Sequence, residues 1–121
     1  MRKILIVDDE PGIRNFLKIL LQEDGFFVKE ANNGLEALVE LRSHHFDLMV
    51  TDINMPQMNG IELITKIHEM KLLTKVIVMT GGGLMPKHKS IPILNEIEVD
   101  FIIEKPFCID SFLGLVKELI A

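Results

Sequence analysis

Five short apolar runs alternate along this chain with five longer stretches of helical period, and few folds accept that order. The runs are Lys3 to Asp8, Phe27 to Ala31, Asp47 to Asp52, Lys75 to Thr80 and Phe101 to Glu104, rich in Ile, Val, Leu and Met. Runs this short and this apolar suit strands buried on both faces of a parallel sheet. Between them apolar residues recur at three- and four-residue steps: Ile13, Phe16, Leu17, Leu20 and Leu21, then Leu35, Leu38 and Leu41, then Leu63, Ile64 and Ile67. Leu94 and Ile97 repeat the pattern weakly, and Phe112, Leu115, Val116 and Leu119 repeat it strongly. Such spacing predicts helices with one face on a core. Gly25 reads as the stop of the first helix, Gly34 lies just before the second, and Asp110 or Ser111 is placed to cap the last. Strand and helix in strict alternation imply right-handed crossovers and a doubly wound α/β sheet with helices on both faces.

The chain has 121 residues, the length of one domain spanning 1–121. At this size roughly two-thirds of the unfolded surface is buried, so the core needs no staple. With Cys108 as the single cysteine no internal disulfide can form, which suits a reducing, cytoplasmic setting. Met1-Arg2-Lys3 opens like an export signal, but the apolar run stops after Val7 at Asp8-Asp9-Glu10, too short for export or a membrane span. A formal net charge of −5 argues against direct binding of nucleic acid, which needs a concentrated basic face. The densest basic cluster, Lys87-His88-Lys89, reads as a solvated loop or helix end.

In doubly wound folds the working site lies beyond the carboxyl ends of the strands, where strand order reverses. The first strand ends in Asp8-Asp9, the third in Asp52 and the fourth in Thr80, and Lys105-Pro106 follows the fifth. Each residue alone has a structural explanation: an Asp after a strand caps a helix or forms a turn, a strand-end Thr bonds backbone, and a lysine is solvated. Gathered on one edge, the carboxylates repel one another unless a cation joins them. Hard oxygen donors on a rigid edge suit Mg²⁺, which takes one or two carboxylates and phosphate oxygens and keeps several waters. The set asks for a divalent metal and a phosphoryl group.

The ordered motifs Ile4-Leu5-Ile6-Val7-Asp8-Asp9-Glu10, Asp47 to Pro56, Met58-Asn59-Gly60, Val76-Ile77-Val78-Met79-Thr80 and Lys105-Pro106-Phe107 carry a resemblance. Over nearly its whole length the chain resembles a receiver domain of the two-component response-regulator family. The resemblance implies a flavodoxin-like sheet of order 2-1-3-4-5 and a phosphorylation-dependent switch in a phosphorelay. Asp52 would accept the phosphoryl group; Asp9, Asp52 and the backbone carbonyl of Asn54 would hold Mg²⁺, with Asp8 acting mainly through metal-bound water. Lys105 and the Thr80 hydroxyl would each bind a phosphoryl oxygen. The implied donor is a sensor histidine kinase or phosphotransfer protein, with small acyl phosphates as substitutes. Asn54 and Gly82 would flank the attacking water and tune the lifetime of the phosphorylated state. The chain would act as no enzyme beyond its own phosphorylation and dephosphorylation. As residues 1–121 end with the last helix, the expected output is contact with a downstream protein, on a face including Ile102 and Gly81 to Ile97, or phosphorelay, with a fragment of a longer regulator or hybrid kinase as the alternative. Proline after lysine alone suggests a trans bond opening the last helix; the resemblance reverses that to cis.

Two departures stand out. Many receivers carry an aromatic three residues before the lysine, where this chain has Ile102 with Phe101 beside it, so a ring flip does not follow from the resemblance. Gly81-Gly82-Gly83 precedes Leu84-Met85-Pro86, predicting a mobile loop before a short helix around 89–97. No Lys-Ser/Thr follows those glycines, so they do not form a P-loop. His44-His45 point apart as neighbours and are not expected to bind metal, His68 and His88 read as surface residues, and Cys108 reads as a half-buried filler at a helix start, ahead of the alternative of a thiol made reactive by the helix N-terminus. Met55, Met58 and Met85 are candidates for lining a partner surface.

Three other functions fit these residues less well. A haloacid dehalogenase-type phosphatase needs its nucleophile after the first strand and an acid/base two residues on, but Asp52 follows the third strand and Asn54 cannot act as acid or base. A flavodoxin-like FMN carrier needs a Ser/Thr/Gly-rich loop after the first strand, where Asp8-Asp9-Glu10 would repel the cofactor phosphate. An interaction module independent of phosphorylation has no use for the complete set of Asp8, Asp9, Asp52, Thr80 and Lys105.

Overall fold

A computed structural model describes residues 1–53, 55, 58–81 and 99–120. Strands β1 (Lys3–Val7), β2 (Phe27–Ala31), β3 (Leu48–Asp52), β4 (Lys75–Gly81) and β5 (Phe101–Lys105) form one parallel sheet in the order β2-β1-β3-β4-β5. The described helices are α1 (Pro11–Glu23), α2 (Gly34–Ser43), α3 (Gly60–Glu69) and α4 (Ile109–Ile120). Asn54, Pro56, the stretch from Gly82 to Pro86, Lys87-His88-Lys89 and the helix expected around 89–97 lie outside the described residues.

The two-residue period of a strand divides the core between the faces of the sheet. Leu5, Val7, Met49, Val76 and Val78 point one way and pack with Ala37 and Leu41 of α2 and Leu63, Ile64 and Ile67 of α3. Ile4, Ile6, Val28, Leu48, Val50, Ile77 and Met79 point the other way, onto Leu17 and Leu21 of α1 and Phe112, Val116 and Ile120 of α4. Burial on both faces explains why the central strands carry so few polar residues.

Four local expectations are corrected. Phe16 is 48% exposed and Leu35 47%, so the apolar stripes of α1 and α2 are narrower than their periodicity suggests. Gly34 is the first residue of α2, and Asn33 before it is the cap, its side chain accepting from the Glu36 N–H at 2.9 Å. Asp110 and Ser111 lie inside α4, and the first carbonyl of that helix, accepting from the Phe112 N–H at 2.9 Å, belongs to Cys108. Met55 is buried and so does not line an open partner surface; Met58 is half-buried against the core, and Met85 lies outside the described residues.

Two glycines are required by their positions. Gly25 sits at φ +94°, the left-handed conformation that ends α1, with its N–H on the Gln22 carbonyl at 3.0 Å. At Gly60 an added Cβ would lie 2.5 Å from the Asp52 carbonyl oxygen and 2.9 Å from Ile53 Cα, so the α3 start abuts the end of β3. Around it, Asn59 and Glu62 form a reciprocal capping box. Because backbone cannot yield as a side chain tip can, Gly60→Ala is expected to destabilise the protein by about 2 kcal/mol in urea unfolding.

Candidate functional site

The sheet order brings the ends of β1 and β3 together at its carboxyl edge. Val7 pairs with Thr51 in register, so Asp8 and Asp52 emerge side by side. Both are almost wholly buried, at 0% and 6% exposure, and buried carboxylates need partners. Asp8 Oδ1 accepts the Glu10 N–H at 2.9 Å, and Lys105 Nζ lies 3.0 Å from both Asp8 Oδ2 and Asp52 Oδ2. Asp9 completes a group in which one carboxylate oxygen each of Asp8, Asp9 and Asp52 lie within 4.8 Å of one another. An all-oxygen, triply acidic donor set of this compactness fits Mg²⁺.

Lys105 ends β5, and β4 separates it from β3, so its ammonium must reach across a neighbouring strand, roughly 5 Å in width. A long lysine stem does this where a shorter cation could not. Burial lowers the affinity of that ammonium for its proton, but hydrogen bonds and charge from Asp52 and Asp8 outweigh the effect and raise its pKa above the usual lysine value. The group is therefore a fixed cation at neutral pH, and the stability that its raised pKa contributes is lost as pH rises through that raised value. The Lys105-Pro106 peptide bond is cis, as the resemblance implies.

Thr80 stands at the same edge, but its hydroxyl donates to the Ile103 carbonyl on β5 at 3.3 Å. The predicted residues Asp8, Asp9, Asp52 and Lys105 thus meet directly, Thr80 is engaged one strand away, and Asn54 is outside the described residues. The direct contact between Asp8 and Lys105 stands beside the part the resemblance implies for Asp8, which is mainly through metal-bound water. The site opens into a cavity of about 600 Å³ whose polar end is Asp9, Asp52 and Lys105 and whose wall includes Ile13, Phe16, Phe107 and Ile109. Helical periodicity assigns Ile13 and Phe16 to the core; packing places half-buried Ile13 and exposed Phe16 at the border of this cavity.

Ile102 is half-buried against the same cluster as Val78 and Ile64, a strand-core contact. His44 and His45 pair with Glu40 and Asp47 respectively, and His68 is exposed. Cys108 is exposed rather than half-buried, because its position at the start of α4 turns it outward. Its thiol pKa is lowered by hydrogen bonds from the Ser111 backbone first, then the Ser111 side chain and the Asp110 backbone.

Such an edge defines a class: a doubly wound domain with a metal-ready carboxylate cluster contacted by one lysine. Residues 4–117 match the model of the response regulator receiver domain, and the chain belongs to that family. Its sheet order is that of the flavodoxin-like receivers. The chain is 37% identical to the response regulator TrrA of Thermotoga maritima, solved in complex with Mg²⁺-BeF, with a TM-score of 0.85 over 98% of this chain and 99% of that one. It is 31% identical over 120 residues to a CpxR homolog of Haemophilus influenzae, covering 99% of this chain and 51% of the relative. It is 34% identical to the CAI-1 autoinducer sensor kinase/phosphatase CqsS of Vibrio cholerae over 95% of this chain and 17% of the relative. The chain therefore spans about half or less of these curated relatives.

Lys105→Met leaves two buried carboxylates without their shared cation. We expect a loss of about 2 kcal/mol in urea unfolding with EDTA present, somewhat below a fully buried pair because the site opens to solvent. Asp52→Asn in that background should recover part of the loss. For Cys108, the rate of alkylation by iodoacetamide should reach half its maximum at lower pH in the native protein than in the urea-unfolded chain.

Proposed function

We propose that residues 1–121 act as one receiver unit in which Asp52 accepts a phosphoryl group and the Asp8, Asp9 and Lys105 side chains assist. The carrying observation is the Lys105 ammonium lying 3.0 Å from both Asp8 and Asp52, beside an acidic cluster that opens into the cavity. The Asp52 carboxylate is the nucleophile: its oxygen bonds to phosphorus as the bond from phosphorus to the donor breaks, and the electron pair leaves with the donor nitrogen or carboxylate. Lys105 can follow the charge from carboxylate to phosphoryl oxygen by a small movement of its flexible stem. The Thr80 hydroxyl, held by a long 3.3 Å bond to the Ile103 carbonyl, can exchange that bond for one to a phosphoryl oxygen. Asp9, Asp52 and the Asn54 carbonyl are proposed as direct Mg²⁺ ligands, with Asp8 acting through water. When bound, Mg²⁺ supplies positive charge opposite the transferring oxygens.

The donor class this supports is a phosphohistidine on a sensor kinase or phosphotransfer protein, with small acyl phosphates as chemical substitutes. The relatives include a sensor kinase/phosphatase, and the cavity beside α1 and α4 offers a phosphoryl donor an approach to Asp52. The chain acts on no other substrate in this reading; its output is a changed protein-binding surface. A cytoplasmic setting accords with an exposed free thiol at Cys108. No described helix is long and apolar enough to cross a membrane.

Incubation with Mg²⁺ and acetyl phosphate should add the mass of one phosphoryl group, and beryllofluoride should shift amide resonances around Asp52 and Thr80. Asp52→Asn or EDTA should abolish both. Equal phosphorylation of wild type and Asp52→Asn would remove Asp52 as the acceptor.

A further inference from the structure

Asp8 is held at every acceptor it possesses. Glu10 and Lys105 take its two carboxylate oxygens, and its backbone carbonyl accepts from Arg14 Nη1 at 2.7 Å. The same Nη1 donates to Asn32 Oδ1 at 2.9 Å, so one guanidinium corner joins the end of β1 to the turn after β2. Arg14 also faces Glu30 at 3.5 Å, but its buried Nε has no hydrogen-bond partner. A guanidinium oriented for Glu30 would present its fork to that carboxylate. Here the orientation follows the two Nη1 bonds instead.

The turn that Arg14 grips continues to the other side of the acidic cluster. The Asn32 N–H donates to Glu36 Oε1 at 2.8 Å, and Asn33 caps α2. At the next residue, Gly34, an added Cβ would lie 2.5 Å from the Met58 carbonyl oxygen. Met58 belongs to the segment between Asp52 and α3, whose Gly60 N–H returns to the Ile53 carbonyl at 2.9 Å. Residues 32–34 therefore touch both arms of the site: the Asp8 arm through Arg14, and the Asp52 arm through Met58.

We infer that Arg14 and the 32–34 turn form a brace that sets the separation of Asp8 and Asp9 from Asp52, making Arg14 a positioning residue for the divalent-cation site. This rests on the reading of that site given above. Positioning of this kind acts on cation affinity in the unphosphorylated protein, where supporting partners of a metal site commonly contribute tenfold or more.

The test is calorimetric titration of Mg²⁺ into the full chain. Arg14→Met should weaken Mg²⁺ binding roughly tenfold. Asn32→Ala, a change at an exposed residue, should weaken it in the same direction, and the double variant should bind no worse than Arg14→Met, because both remove one brace. Lys18→Met, which removes the other cation on Glu30 without touching Asp8, should bind like wild type. Wild-type affinity in Asn32→Ala and Arg14→Met overturns the brace, as does an additive double variant or an equal loss in Lys18→Met. If Arg14→Met does not fold, Asn32→Ala alone decides. A wild type that binds no Mg²⁺ instead overturns the reading of the site.

Discussion

The site depends on one ammonium group lying equidistant from two buried carboxylates. Asp8 and Asp52 are brought side by side by parallel pairing of β1 with β3, an arrangement that would be self-repelling without Lys105. The lysine offsets part of that charge from two strands beyond β3 and leaves Asp9 at the more open margin of the cluster. The ammonium reaches over β4 to the buried carboxylates, and Asp9, Asp52 and Lys105 itself line the cavity.

Much of the surrounding structure serves to keep that edge in place. The paired cores clamp the sheet from both faces, so the strand ends have little freedom to shift relative to one another. Gly60 lets α3 press against the Asp52 carbonyl, and the capping box of Asn59 and Glu62 fixes the helix at that contact. On the other flank Arg14 ties the Asp8 carbonyl to the turn before α2. The active edge is therefore supported from α1, α2 and α3, while its chemistry is carried by the strands.

Legibility varied with the range of the interaction. Five strands were readable because each is a short apolar run, and the site residues because they terminate those runs. Phe16 and Leu35 misled because a helical stripe does not state how wide the neighbouring surface is. Cys108 misled for a related reason: whether a helix-start residue faces in or out depends on how α4 lies against the sheet. The double contact of Lys105 and the grip of Arg14 on Asn32 join residues far apart in sequence, beyond the reach of any local pattern.

By itself the sequence determined the alternation of strand and helix, the apolar faces and the chemical types at the strand ends, because these follow from local periodicity and residue chemistry. Tertiary structure decided which ends meet, that Lys105 answers Asp8 as well as Asp52, and that the Thr80 hydroxyl rests on Ile103. Those outcomes depend on strand register, side-chain reach and competition among nearby hydrogen-bond acceptors, which exist only once the sheet has formed.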